Sequence, residues 1–290
     1  MFDRLRHFVL ACEHGTFTAA ARQAHISQPA FSASIRALEE DLGARLLDRG
    51  RRGARPTAAG EALLPGARAA LAAVQDGRRA VAEVVGLRAG LVRLGAGPTA
   101  CTYLLPTALA AFRRAHPGVR LFLTEAHNEA VWDALQGGAL DLALVSDASI
   151  PAGATWFTAE PWRFDPLFLV DGPVPAADPT AFVSFPEGAI LRTLLERHVP
   201  EADVVMELGS IAAVKGNVRA GVGRALMSRA ACRRDLAQGR LIKVEDARFP
   251  IPRTLMLLHR GVDQLPPAAS ALRRQLLAGA ITDTGTSPTR

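Results

Sequence analysis

Residues 16 to 61, TFTAAARQAHISQPAFSASIRALEEDLGARLLDRGRRGARPTAAGE, confine the N-terminal part of this chain to few folds. Thr16 or Thr18 suits the N-cap of a short helix running through Ala24, and Ala19, Ala20 and Ala21 let a second helix approach its backbone closely. A sharp turn is expected at His25 and Ile26. Ser27 is a good N-cap for the next helix, Pro29 sits in the first turn where its missing N–H costs nothing, and Gly43 stops the helix after Leu42. Phe31, Ile35, Leu38 and Leu42 recur at helical spacing and are expected to pack inward, leaving Gln28, Ser32, Ala33 and Arg36 on the outer face. Two short helices, a longer helix and a basic turn in this order are what a winged helix-turn-helix needs. Short polar groups on the longer helix can enter a major groove, where Gln pairs with adenine.

Beyond that helix, Arg45, Arg49, Arg51, Arg52 and Arg55 crowd around Gly50 and Gly53, opposed by Asp48 alone. Such a loop suits phosphates or a minor groove. An arginine-rich solvated turn is the alternative, and the capped helices beside it favour nucleic acid. Bulk charge does not locate the site, because the formal net charge of +6 divides evenly between residues 1–86 and the remainder.

Over about sixty residues, FTAAARQ, SQPAFSASIRALEEDLG, LLDR and PTAAGEALLP resemble, in order and spacing, the N-terminal domain of LysR-type transcriptional regulators. With that resemblance, the residues expected to contact DNA are Ser27, Gln28, Pro29, Ser32, Ala33, Arg36, Arg49, Arg51, Arg52 and Arg55. The chain departs from the usual pattern at Ala24, Ala33, Leu47 and Pro56, where the family shows Leu, Arg or Lys, Phe, and Leu respectively. Without a base-facing cation at Ala33, readout shifts toward Gln28, Ser32, Arg36 and the wing.

A chain of 290 residues, 49% of them hydrophobic, can bury more than one core. Leu5 to Cys12 reads as a helix under the helix-turn-helix, and Thr57 as the cap of a long helix bent early by Pro65. Along it Leu64, Ala67, Leu71, Val74, Val81 and Val85 step by three and four, with Arg78 interrupting. That stripe suits a coiled-coil seam or a helix packed within one protomer. The family resemblance implies a dimerising linker that presents two recognition helices to one face of DNA.

From Leu91 onward strands alternate with helices, which predicts two α/β subdomains with mainly parallel sheets. The segments LGAGPTACTYLLPTALAAFRRAHPGVRLFLTEAHNEAVWDALQGGALDLALVS and LGSIAAVKGNVRAGVGRALMSRAACRRDLAQGRLIKV resemble the two halves of the LysR effector domain, above all in regulators of carbon-fixation and sulfur-metabolism genes, although Arg224 replaces a usual aliphatic residue. The resemblance covers nearly the whole chain. It implies an α+β multi-domain fold: a winged helix-turn-helix over 1–58, a linker helix over 59–86, and two α/β subdomains of periplasmic-binding-protein type. The first subdomain is expected over 91–161 with 264–280 and the second over 162–263, with crossovers near 161 and 264. The tail, 281–290, is expected to be disordered.

In such a fold three helix starts converge on a cleft between the subdomains: Pro98, Thr99, Ala100, Cys101 and Thr102; the EGAILR run ending in Arg192; and Gly209, Ser210 and Ile211 leading to Lys215. Free backbone N–H groups and small polar residues favour an anion there, Arg192 and Lys215 can neutralise it, and Ser146 at a strand end completes the lining. Ordinary N-capping is the alternative for each motif. Cys101 at a helix start can be a nucleophile, a redox thiol or a small apolar filler.

Cys12, Cys101 and Cys232 are far apart and lack metal spacing, and the seven histidines show none either, so neither a disulfide framework nor a metal site is expected. The opening MFDRLRHF has no cleavable apolar segment and no run approaches a membrane span, which predicts a soluble cytoplasmic protein. The expected function is a DNA-binding transcriptional regulator, dimeric or tetrameric, that meets promoter DNA and RNA polymerase and is controlled by a small anionic metabolite, with no resident cofactor. The alternative is a cysteine-dependent enzyme built on Cys101 with a DNA-binding appendage. It lacks a recognisable partner base. A transport-type binding protein explains the cleft but not the first 86 residues.

Overall fold

The computed structural model describes residues 1–50, 53–84, 90–151, 153–154 and 156–279. The chain divides into an N-terminal unit and a larger α/β unit. The first holds α1 (Phe2–His14), α2 (Phe17–Ala24), α3 (Gln28–Leu42), the hairpin β1 (Leu47–Gly50) and β2 (Gly53–Pro56), and α4 (Ala58–Val84).

Local chemistry fixes each boundary. Thr16 Oγ1 accepts from Ala19 N at 3.2 Å and Ser27 Oγ from Ala30 N at 3.4 Å, so α2 and α3 both start on capping side chains. Gly43 adopts φ 65° and ends α3 in the left-handed conformation. Phe8, Phe31, Ile35 and Leu38 are fully buried in one core with Ala20, Ala21 and Leu47. Two expectations need correction. Leu42 is 45% exposed, because the chain turns at Gly43 and Leu46 and Leu47 enter the core in its place. Their N–H groups donate to Glu39 Oε1 at 2.8 and 3.2 Å, which secures that turn. Ser32, expected outside, is buried at the edge of the apolar stripe and accepts from Gln28 Nε2 at 3.3 Å.

The hairpin is antiparallel, with Asp48 opposite Arg55 and Gly50 opposite Gly53. Ala54 N donates to Gly15 O at 2.7 Å, and a Cβ at Gly53 would lie 2.2 Å from that same oxygen. Only glycine permits so close an approach, here at φ 100°. Thr57 Oγ1 accepts from Gly60 N at 3.1 Å and starts α4 as expected. Along α4, Ala67 is buried in the core under α1, whereas Val74 and Val81 are exposed. Val85, the last residue of the expected seam, lies outside the described residues, as does the tail 281–290.

The larger unit carries two sheets. In the first, β3 (Leu91–Ala96) runs parallel to β4 (Arg120–Glu125) and β5 (Leu142–Ser146). A π-helical turn, Ala100–Leu104, and α5 (Leu105–Ala115) connect β3 to β4, and α6 (Asn128–Gln136) follows β4. Leu142 and Leu144 of β5 pack on one face with α5, while Ala143 and Val145 meet α6 on the other. That is the two-sided burial expected of a covered parallel strand. The chain then forms β6 (Thr158–Phe164) and crosses at Asp165 and Pro166 into the second sheet.

There lie β7 (Leu167–Asp171), β8 (Ala181–Ser184), α7 (Ile190–His198), β9 (Asp203–Glu207), α8 (Ile211–Arg219), β10 (Ala225–Ser228), α9 (Arg229–Ala237) and β11 (Ile242–Lys243). β8 and β9 are parallel, whereas β10 and β11 flank β7 antiparallel, so the expectation of mainly parallel pairing fails for this half. A bridge between Phe182 and Arg224 joins the two groups of strands. The chain returns through Arg253 into β12 (Thr254–His259), which pairs antiparallel with both β5 and β6, and ends in α10 (Pro267–Ala278).

The return therefore comes at 253, not near 264, and β12 belongs to the first sheet. Periodicity identifies Thr254–His259 as a strand but carries no information on which sheet receives it. β6 carries no clear strand signal in its residues, since Pro161 and its charged neighbours interrupt the apolar pattern. An edge position tolerates that proline, and the pairing bulges at Leu255 and Met256 opposite it.

α10 is tied down by polar bonds across the sheet. Trp162 Nε1 donates to Leu276 O at 3.1 Å, and Arg273 grips the Glu160 carboxylate from one side while His259 Nε2 lies 3.1 Å from it on the other. Burial pushes the Glu160 carboxyl up, but bonding and charge from Arg273, then His259, outweigh it and hold the group below the usual carboxylate range. A carboxyl depressed in the folded state stabilises the fold above its unfolded titration range, and that contribution fades as pH falls through it. Glu160→Gln is therefore expected to flatten the acid limb of a plot of Tm against pH. In the N-terminal unit, Phe31→Ala is expected to cost about 3–5 kcal/mol of stability, read by denaturant unfolding under far-ultraviolet circular dichroism.

Candidate functional site

Two surfaces carry the chemistry. On the N-terminal unit, Ser27, Gln28, Pro29, Ala33 and Arg36 are exposed along one side of α3 and its start. Their common exposure follows from the inward set Phe31, Ile35 and Leu38 on a helix of period 3.6. Neither Arg36 nor Arg55 makes an ion pair among the described residues, so both guanidiniums are available to phosphates. Ser32 is turned into the helix edge, where it bonds to Gln28 and so orients that amide rather than facing outward. Arg51 and Arg52 lie outside the described residues, and Arg49 is placed only by its backbone opposite Ala54.

On the α/β unit, a cavity of about 80 Å³ opens where strands of both sheets end at their carboxyl termini. This is where open α/β sheets place their ligands. β3 delivers Gly97, Pro98, Thr99 and Ala100; β5 delivers Ser146; the turn after β4 delivers His127 and Asn128. From the second sheet come Phe185 and Pro186 after β8, Ile190 of α7, and Gly209 and Ile211 around the start of α8. Most of this lining is apolar. The polar exceptions include the buried Thr99, Ser146 and Arg253.

Of the residues expected here, Pro98, Thr99, Ala100, Ser146, Gly209 and Ile211 line the cavity together. Others do not. Arg192 donates to Glu207 Oε1 at 2.9 Å and also pairs with Glu196, so its charge is matched within the second subdomain. Lys215 Nζ lies 2.8 Å from Asp235 Oδ2, 3.1 Å from Ala231 O and over the Tyr103 ring. These contacts tie α8 to α9 and to the π-helical turn. Thr102 is exposed, and Ser210 spends its acceptor on Ala213 N at 3.2 Å as an ordinary N-cap.

Cys101 also points elsewhere, with Sγ 3.5 Å from Ala96 O. Burial, then the Glu125 charge, pushes its thiol up to about 11, the reverse of what a nucleophile needs.

Among the described residues, the arginine that does reach the cavity is Arg253, which the sequence pattern does not single out. It lies between segments that read as loop and strand, with no helix start or motif beside it. The IPRT context gives one signal: an arginine beside a proline within an otherwise apolar approach to a strand. Its exposure is 3%.

Known proteins match both halves. The model described as LysR substrate binding domain matches residues 86–280, and that described as bacterial regulatory helix-turn-helix protein, lysR family, matches residues 2–61. Over 283 residues the chain is 31% identical to the HTH-type transcriptional regulator CbbR of Xanthobacter flavus, covering 93% of this chain and 85% of that protein. It is 50% identical over 120 residues to the SDS degradation transcriptional activation protein of a Pseudomonas species, covering 41% of this chain and 39% of that one. Its fold is similar to the crystal structure of ArgP from Mycobacterium tuberculosis, with a TM-score of 0.66, 19% identity and coverage of 96% and 97%.

These relatives are regulators, and the reading of Cys101 as an enzyme's nucleophile finds no support among them. Among the described residues no helix is long and apolar enough to cross a membrane. With both family models matched in order along one chain, and a regulator aligned over nearly its full length, the protein belongs to the LysR family of DNA-binding transcriptional regulators.

Proposed function

We propose that this regulator reads promoter DNA in the cytoplasm through α3 and the β1–β2 wing, as a dimer or tetramer joined through α4, and signals to RNA polymerase. A small anionic metabolite in the α/β cleft controls it. The observation that carries the DNA reading is the outward side of α3, where Gln28, Ala33 and Arg36 are exposed beside a basic hairpin. Exposed Val74 and Val81 on α4 support a second helix as partner. We take residues 1–58 as the DNA-binding domain and 59–86 as the linker. The first effector subdomain spans 91–164 with 253–279, and the second spans 165–252.

The cleft reading rests on its composition. Apolar walls with a few buried polar groups and one buried cation suit a small ligand carrying a carboxylate or another oxyanion. Control requires that the ligand bind two states of the assembly unequally, so that occupancy shifts their populations on DNA.

Replacing Arg49, Arg51 and Arg52 together by Ala is expected to weaken operator binding in mobility-shift titrations. The slope of log K against log salt should become shallower by about 0.9 for each phosphate that the wing no longer neutralises. An unchanged slope would remove the wing from the interface. For the cleft, Gly209 lines the cavity and a Cβ there meets no atom within 4 Å, so Gly209→Leu is expected to crowd the cavity without forcing the backbone. This variant is expected to bind operator DNA like the parent while losing its transcriptional response in a promoter-reporter assay. A retained response would place the effector elsewhere.

A further inference from the structure

The two chain segments that pass between the sheets run side by side. Asp165 N donates to Arg253 O at 2.9 Å, and Leu167 and Ile251 exchange bonds of 2.9 and 3.0 Å, so the crossovers form a short antiparallel ribbon. A buried ion pair closes the ribbon at one end: Arg253 Nη2 pairs with Asp165 Oδ2, and Arg253 Nε donates to Asp165 O at 3.1 Å. Asp165 is also anchored to the second subdomain, accepting from Ser228 Oγ at 2.6 Å and Ala230 N at 2.9 Å.

Arg253 faces two ways. It lines the cavity, and its Nη1 has no hydrogen-bond partner among the described residues. Thr99, 8% exposed in the same lining, likewise has no partner for its hydroxyl among the described residues. Ser146, 3% exposed, lines the cavity too, its Oγ donating to Asp147 Oδ1 at 3.3 Å. A buried guanidinium with a free edge and an unpaired buried hydroxyl around one small cavity form a receptor for a planar or tetrahedral oxyanion.

We propose that Arg253 is the anion receptor of this cleft and that Asp165 competes with the ligand for it. This inference rests on the reading of the cleft as the effector site. Binding an anion weakens the hold of Arg253 on Asp165, and so loosens the ribbon joining the subdomains. Linkage makes this reciprocal: removing the Asp165 charge must strengthen anion binding. A purely structural ion pair predicts the opposite, because breaking it disorders the lining.

The test uses the full chain and thermal shift titrations with inorganic phosphate and with acetate, at ionic strength held constant with chloride. Wild type is expected to show a saturable shift with at least one of these anions. Gly209→Leu is expected to abolish that shift. Asp165→Asn is expected to tighten anion binding about tenfold, a modest part of the Coulomb energy of one adjacent charge. The double variant Asp165→Asn with Arg253→Gln keeps the pair neutral and uncharged, and is expected to melt cooperatively in chloride yet show no anion shift. If Gly209→Leu abolishes the shift while Asp165→Asn and the double variant bind like wild type, the assignment of Arg253 falls and the cleft reading stands. If wild type shows no saturable shift, or Gly209→Leu leaves it intact, the cleft reading fails and takes this inference with it.

Discussion

The α/β unit depends on one buried ion pair. Taking a carboxylate and a guanidinium out of water costs several kcal/mol per ion, and the attraction between them offsets this only when the remaining polar atoms are also satisfied. Asp165 meets that condition: both carboxylate oxygens accept, from Arg253, Ser228 and Ala230. Arg253 meets it only partly, with one edge turned to the cavity. The pair thus combines a fully satisfied anion fixed to the second subdomain with a partly satisfied cation fixed at the start of β12. An apolar pair would pack there more cheaply, but it would leave the cavity without charge.

The architecture around the pair explains why the cavity sits where it does. β3, β5, β8 and β9 all end at it, and each strand end releases a turn whose backbone is not committed to a sheet. Two of the helices that begin there, α7 and the π-helical turn, have no side-chain cap, which leaves N–H groups for a ligand. α8 differs, because Ser210 already occupies its first turn. The convergence is a property of the topology, and capping decides which of the converging ends stay receptive.

Much of the N-terminal unit is legible in the residues because its determinants are local. Thr16, Ser27, Gly43 and Thr57 mark boundaries through capping or φ, and these act within a few positions. Ser32 and Leu42 escape such reading because a fraction of a helical turn decides between core and solvent. In the α/β unit the strands can be read but not their sheet, since the pairing of β12 with β5 and β6 joins residues about a hundred positions apart. The charges are the least legible. Arg192 and Lys215 look like free cations in the sequence because Glu207 and Asp235, which neutralise them, lie on other elements. Arg253 looks incidental because Asp165 is 88 positions away.

The placement of the aromatic side chains has a spectroscopic consequence. All three tryptophans, Trp132, Trp156 and Trp162, and the single tyrosine, Tyr103, belong to the α/β unit. Trp132 and Trp156 stack edge to face with Phe157 beside α6, and Trp162 is buried between β6 and α10. The DNA-reading unit therefore contributes no tryptophan or tyrosine emission. Intrinsic fluorescence of the intact protein reports on the regulatory half alone, so events in that half can be followed without attaching a dye.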